Sequence, residues 1–442
     1  MKTLFIANRG EIAARIARSG RALGYRIAVA YPPVDARMPY VLEADLAVEL
    51  TTPRSFASVP EMREAARRAE ADLVHPGYGF LSESPEFARA IRASDMVFVG
   101  PSAHAIEQLG DKARARELAA QCGVPIVPGS SRPLESFDEV AQVAAEIGYP
   151  VMIKAVAGGG GIGMAVAASE SELHDAFNRV SSRAHSVFND PRLIVERFIR
   201  RSRHIESQIL GLPNGMVVVF AERDCSVQRR HQKVVEESPS PALQASERRQ
   251  IAAAAMALAT AVEYENAGTV EFIYDLDRRE FFFLEMNTRL QVEHGITEAV
   301  HGIDLVALQL EIASGGSFDS VAMESEPIGH ALEMRVYAED SERFLPRPGK
   351  ITRWVMPSGT GIRVDSGYSE GTEVTPFFDP LMAKLIVHSP SRSEAIALGE
   401  RALAETAIEG PGSNLAFLSR VLASGAFRAG DYTTGLVGAE AE

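Results

Sequence analysis

Three clusters of residues carry chemistry that packing alone does not require. The first is the run Gly158-Gly159-Gly160-Gly161-Ile162-Gly163, with Lys154 just upstream. Glycines let a backbone approach a polyphosphate and aim N–H groups at it. They also make a loop that can close as a lid. Both flanks, 151–156 and 164–167, are apolar, so the pattern is strand, glycines, strand. A P-loop needs Gly-Lys-Ser/Thr and a helix after it, and both are missing. A lysine inside an apolar strand is costly without an anionic partner, so Lys154 predicts one.

The second cluster is Glu271, Glu285 and Asn287. Glu285 and Asn287 are two apart on a strand and share a face. Glu271 lies on the preceding strand across a short turn. Antiparallel pairing predicts that two carboxylates and an amide oxygen converge, a donor set suited to a hard cation bridging nucleotide phosphates. The third cluster follows directly: Arg289, Gln291, Glu293 and His294. A fixed cation, an amide and a carboxylate could hold and deprotonate a small acid. A further basic stretch is Arg229-Arg230-His231-Gln232-Lys233. If extended, it turns Arg229, His231 and Lys233 to one side; its composition alone reads as a solvated patch. Together the clusters describe ATP-driven activation of a carboxylate-like substrate.

The elements that must position these groups alternate between strand and helix over the first hundred residues. Strands are predicted at 3–7, 26–31, 73–75 and 96–99, and helices at 11–23, 60–69 and 85–93. This pattern indicates a parallel sheet with right-handed crossovers. A second block has helices at 113–121, 137–147 and 246–264. Its strands are predicted at 193–195, 205–210, 217–220, 270–274 and 281–286, besides the pair around the glycines. A third block has strands at 331–337 and 384–387 and helices at 392–406 and 414–423.

The chain has 442 residues, 46% hydrophobic and 24% charged. That is ordinary globular usage, long enough for about three domains at roughly 150 residues each. A formal charge of −14 disfavours a general nucleic-acid or anionic-membrane binder. Cys122 and Cys225 have no metal-ligand spacing and form no disulfide framework, so a reducing cytoplasm and no membrane association are expected. Only six of the 45 basic residues are lysine: Lys2, Lys112, Lys154, Lys233, Lys350 and Lys384. Where a lysine is kept, a compact ammonium rather than a planar fork is wanted.

The motifs KAVAGGGGIGM (154–164), ERDCSVQRRHQKVVEESPSP (222–241) and EMNTRLQVEH (285–294) resemble biotin carboxylase, the ATP-grasp component of biotin-dependent carboxylases. IANRGEIAARI, HPGYGFLSE, GDKARA and PGKITR are similar to it as well, and the resemblance runs from about residue 2 to residue 435. It implies an α/β and α+β architecture in three regions. These are an N-terminal parallel α/β domain (1–109), a central ATP-grasp domain (110–327, with a glycine-loop lid at about 127–200) and a C-terminal mixed α+β domain (328–442). The implied reaction uses ATP to convert bicarbonate to carboxyphosphate, then carboxylates biotin.

By resemblance, Lys112 and Lys154 contact the ATP phosphates and Gly160 and Gly161 donate backbone N–H groups. Glu196, Arg197, Phe198 and Ile199 form the adenine hinge, and His204, His231 and Glu271 line the nucleotide site. Glu271, Glu285 and Asn287 hold Mg²⁺ or Mn²⁺. Bicarbonate sits among Lys233, Arg289, Gln291 and the backbone of Val292. Glu293 is the general base, Arg289 stabilises carboxyphosphate, and Arg335 stabilises the ureido oxyanion of biotin. Three departures from the common pattern are Ala157, Ile162 and Gly295. GGGGIGM, VEHGITEAV and GTEVTPFFDPLMAKLIVH are closer to urea carboxylases, so a urea or amide carboxylase component stands as an alternative to an acyl-CoA carboxylase subunit such as that of acetyl-CoA carboxylase. Another ATP-grasp ligase and a non-catalytic nucleotide-binding subunit are the remaining alternatives. With no Ala-Met-Lys-Met motif in the sequence, biotin is expected on a separate carrier protein, with a carboxyltransferase as another subunit and a homodimer as the assembly.

Overall fold

The computed structural model describes residues 1–156, 163–188, 190–230, 232–316 and 326–439. They form two compact units: Met1–Val124, Arg203–Phe272 and Leu284–Glu442 in the larger, Pro125–Ser202 and Ile273–Phe283 in the smaller. The architecture is α/β, with an N-terminal parallel sheet and a largely antiparallel second sheet.

The N-terminal sheet holds β1 (Thr3–Ile6), β2 (Arg26–Tyr31), β3 (Leu46–Glu49), β4 (Leu73–His75) and β5 (Val97–Phe98) in the order β3-β2-β1-β4-β5. Every registered pair is parallel. β1 is buried on both faces, which is why its sequence is a continuous apolar run rather than an alternation. β3 is absent from the sequence reading: Leu-Ala-Val-Glu is too short and only partly buried to carry a period. Helix α1 (Gly10–Ala22) follows β1 and ends at Gly24, whose φ of +79° suits glycine. The loop after β4 is fixed by Asn8, which donates to the carbonyls of Pro76 (2.8 Å) and Tyr78 (2.7 Å). Gly77 is required there, because its φ is +64° and a Cβ would come within 2.7 Å of the Asn8 amide.

In the smaller unit β6 (Val151–Ala155) lies between β7 (Met164–Ala167) and β8 (Leu193–Arg197), antiparallel to both. The expected strand–glycines–strand order is therefore present. Helix α2 (Phe137–Ile147) starts with a Ser136/Glu139 capping box. Helix α3 (Glu170–Phe188), unassigned in the sequence reading, buries Leu173, Ala176, Val180 and Ala184 against Val151, Ile153, Leu193 and Val195. That spacing is a helical stripe, but a thin one made partly of alanine.

The second sheet contains β9 (Ser202–Gly211), β10 (Val217–Arg229), β11 (Gln232–Ser238), β12 (Asn266–Asp275), β13 (Glu280–Asn287), β14 (His330–Tyr337), β15 (Ile362–Ser366) and β16 (Leu381–Ser389). Their order is β13-β12-β9-β10-β11-β14-β16-β15. The sheet thus draws strands from both sides of residue 327. Helix α4 (Ala245–Ala261) packs on β10, and helix α5 (His294–His301) on β14. No helix among the described residues is long and apolar enough to cross a membrane.

Arg229 and Lys233 do not share one face of a single solvated strand, contrary to what the basic run suggests. β10 pairs with β11 as a hairpin, Arg229 opposite Gln232 and Gln228 opposite Lys233, and Arg230 takes φ +48° at the turn. Arg229 reaches the buried Glu339, while Lys233 points into a cluster of acids.

Candidate active site

β9 and β11–β14 point polar side chains into one cleft of about 890 Å³. Its lining includes Lys112, His204, Lys233, Glu271, Glu285, Asn287, Arg289, Gln291, Val292, Glu293 and Arg335. Eleven residues spread over two hundred positions meet here, all in the larger unit.

Lys233 is the hub. Its ammonium donates to Glu206 (2.6 Å), Glu271 (2.9 Å) and Glu293 (2.7 Å), so all three N–H bonds are engaged. Burial would push this lysine down, but Glu206, Glu271 and Glu293 hold it well above its ordinary value. The carboxylates respond in kind. Burial would raise Glu271, but Lys233 and His204 keep it well below the usual carboxylate range. Burial would raise Glu293 too, and Lys233, Arg335 and Arg223 together overcome it. Glu293 is 1% exposed, bridging Lys233 and the Arg335 guanidinium (2.9 Å). Arg335 also meets Glu236 at 2.6 Å. An arginine placed between two carboxylates stays charged and cannot give up its proton.

The loop after β13 supplies the rest. Arg289 donates to Gln291 (2.6 Å), Asn287 (2.9 Å) and Glu83 (3.0 Å), which fixes its fork. Gln291 and Asn287 both donate to Glu271, at 2.9 and 2.8 Å. His204 spans from the Gln228 amide (3.0 Å) to Glu271 (2.9 Å). Lys112, at the start of its helix, reaches Glu285 at 3.3 Å from an exposed position.

For a divalent cation, two carboxylates are present in the right type. Asn287, however, turns its nitrogen toward Glu271 and its oxygen toward Arg289. To serve as an oxygen ligand beside Glu271, its amide must turn over.

In the smaller unit Lys154 is 35% exposed, not buried in its strand, and its ammonium meets Glu196 at 2.5 Å. Arg197 is tied to Glu280 (2.9 Å) and lies 4.7 Å over the Phe282 ring. The Phe198 N–H bonds to the Pro150 carbonyl, and Ile199 packs with Val127 and Phe282. Gly160, Gly161, Ala157, Ile162 and His231 lie outside the described residues. Gly295, the second residue of α5, has a packing reason: a Cβ there would meet Ile386 at 2.4 Å.

Sequence reasoning missed Glu206, Glu83, Glu236 and Lys384. Glu206 and Gln208 alternate with Ile205 and Ile209 in a segment read as a strand, so a polar face turned inward was the available signal. Glu83 sits in the HPGYGFLSE motif, and nothing in its spacing announces Arg289.

The chain matches three family descriptions in succession. They are the biotin carboxylase N-terminal domain over residues 1–106, the carbamoyl-phosphate synthase L chain ATP binding domain over 111–321, and the biotin carboxylase C-terminal domain over 333–439. It is 45% identical to a biotin carboxylase from Halalkalibacterium halodurans, covering 99% of this chain and 97% of that one. Among solved structures it is similar to a Campylobacter jejuni biotin carboxylase in complex with β,γ-ATP, with a TM-score of 0.91, 38% identity, and coverage of 99% and 98%. A second is the biotin carboxylase domain of a thermophilic 2-oxoglutarate carboxylase bound to bicarbonate, with a TM-score of 0.94, 36% identity, and the same coverage.

Proposed function

The chain belongs to the biotin carboxylase family, and on that footing we propose that it carboxylates biotin held by a separate carrier protein, using ATP and bicarbonate. The observation that carries the site assignment is Lys233 between three acids, with Glu293 shared between Lys233 and Arg335.

Bicarbonate lies against Lys233, Arg289, Gln291 and the Val292 backbone. Taking an N–H of Lys233 loosens that ammonium from Glu293, which lets the Glu293 carboxylate become a better base. Glu293 removes the bicarbonate proton, and the oxygen so freed attacks the γ-phosphorus of ATP as the bond to ADP breaks. Carboxyphosphate forms beside Arg289. Its C–O bond breaks to give carbon dioxide and inorganic phosphate, and the phosphate takes the N1′ proton of biotin as N1′ bonds to the carbon of carbon dioxide. Arg335 balances the negative charge on the ureido oxygen. By the family resemblance, Lys112 and Lys154 would contact the phosphates, Gly160 and Gly161 would donate backbone N–H groups, Glu196 to Ile199 would take the adenine, and His204 and His231 would contact the nucleotide. Glu271, Glu285 and, with its amide turned over, Asn287 would hold Mg²⁺ or Mn²⁺, which would supply charge neutralisation and orientation of the phosphates.

Residues 1–109, 110–327 and 328–442 are proposed as three functional regions, with a lid at about 127–200; the succession of family matches supports this. A biotin carboxyl carrier protein, a carboxyltransferase subunit and a second copy of the chain are the proposed partners. A subunit of an acyl-CoA carboxylase such as acetyl-CoA carboxylase is the proposed setting of this half-reaction. The chains that co-purify with it identify the acceptor. The test of the reaction is ADP release with free biotin. It is expected to need bicarbonate and to rise with biotin, and ATP hydrolysis indifferent to both refutes the proposal.

A further inference from the structure

The segment Gln291–Glu293 carries an amide, a backbone donor and a base, yet it is a loop, which does not hold itself still. Two buried side chains behind it grip its carbonyls. The His294 ring nitrogen Nδ1 lies 2.7 Å from the Gln291 carbonyl, and because a carbonyl only accepts, Nδ1 carries the proton. The Lys384 ammonium donates to the Val292 carbonyl at 2.7 Å. Both side chains are 0% exposed, and neither lines the cleft, whereas Gln291, Val292 and Glu293 do.

A trans peptide points its C=O and N–H in opposite directions, and the cis bonds among the described residues are elsewhere, before Pro150 and Pro239. Tying the Gln291 carbonyl back therefore turns the Val292 N–H away from His294. Tying the Val292 carbonyl back does the same for the Glu293 N–H. We propose that His294 and Lys384 are positioning residues. They clamp two successive carbonyls on the buried side and so present the Val292 and Glu293 N–H groups, and the Glu293 carboxylate, to the bound anion.

Lys384 is buried among acids, so its removal orphans a buried carboxylate and costs stability; stability alone does not explain where its ammonium points. Its charge is balanced by Glu11 (3.4 Å) and Asp365 (4.0 Å), while its directional bond goes to Val292. The lysine is also one of only six in the chain. Glu11 is itself held by the Tyr78 hydroxyl, in the loop that Asn8 organises. The clamp is therefore anchored on the first turn of α1 and the loop after β4.

The inference rests on the proposed function, so the wild-type protein is assayed first for bicarbonate-dependent ADP formation. Its absence overturns that reading, and the inference with it. With activity present, Lys384→Met and His294→Leu are expected to raise KM for bicarbonate by roughly tenfold or more, because small misplacement of binding groups is expensive. KM for ATP is expected to stay within about twofold. His294→Asn keeps an N–H donor near Nδ1 and is expected to recover most of the loss. A merely structural role lowers the melting temperature without splitting the two KM values. Folded variants with wild-type bicarbonate KM overturn the proposal. If Lys384→Met does not fold, the His294→Leu and His294→Asn pair decides: an unchanged KM in His294→Leu, or no recovery in His294→Asn, overturns it.

Discussion

Replacing Glu293 by glutamine removes the proposed base and almost nothing else. The side chain keeps its size inside a site where the native residue is 1% exposed. Lys233 retains Glu206 and Glu271, and Arg335 retains Glu236, so no cation is left unpaired. The cost to stability is that of weakening charged hydrogen bonds, about 1–3 kcal/mol, not the 3–5 kcal/mol of orphaning a buried charge. Loss of a positioned general base costs about 10²–10⁴-fold in rate, or roughly 2.7–5.4 kcal/mol of barrier at 1.36 per tenfold. The catalytic effect therefore exceeds the effect on folding. The assay is steady-state ADP formation at saturating ATP, bicarbonate and biotin, alongside thermal melting. The expected result is a kcat down by about 10² or more with KM for ATP within about twofold. Glu206→Gln also takes a carboxylate from Lys233 but leaves the base, and its loss is expected to be at least about tenfold smaller. A folded Glu293→Gln protein within about threefold of wild type refutes the assignment of the base.

Arg335→Met and Arg335→Lys are both expected to lose biotin carboxylation by about 10² while retaining ATP binding, measured by product formation and calorimetry, because lysine cannot reproduce the fork between Glu236 and Glu293. An active Arg335→Lys protein contradicts this. Chelation of divalent ions is expected to stop turnover, and Glu285→Gln to raise the Mg²⁺ requirement by roughly tenfold in an Mg²⁺ titration; an unchanged titration removes Glu285 from the metal site. His75 is held neutral, with its value pushed from 6.5 to about 4 by burial, against the Gln309 bond and with help from Arg15. Below about 6.5 the unfolded chain gains a proton that the folded one refuses, so this contribution is complete above that pH and is lost as pH falls toward 4. Over the shift from 6.5 to about 4 it is at most about 3 kcal/mol. The melting-temperature gap between pH 7 and pH 5 is accordingly expected to narrow in His75→Gln; a gap that widens or stays the same contradicts it.

The parallel sheet was legible because buried strands such as Thr3–Ile6 leave continuous apolar runs between helices with plain ends. Val151–Ala155 and Met164–Ala167 were legible as short apolar runs on either side of the glycines, although Met164 and Val166 prove exposed. Leu46–Glu49 and Glu170–Phe188 were not, since one is too short for a period and the other has a stripe thinned by alanine. In the site, residues close in sequence to the β13 loop were found at once, because strand alternation and a short turn hold them together. Sheet order and register bring Glu206 to Lys233 and Lys384 to the Val292 carbonyl, and Glu83 reaches Arg289 from the loop after β4; a linear pattern encodes none of these. The basic run at 229–233 misled for a local reason. A positive φ at Arg230 folds it into a hairpin, and the lysine on the far side becomes the centre of the site.

The most direct measurement is transfer of label from ¹⁴C-bicarbonate to biotin by the purified chain with ATP and Mg²⁺. Acid-labile label on biotin is expected, formed in step with ADP and absent when ATP is omitted. ADP production with no labelled biotin, or labelling that does not require ATP, contradicts the proposed function.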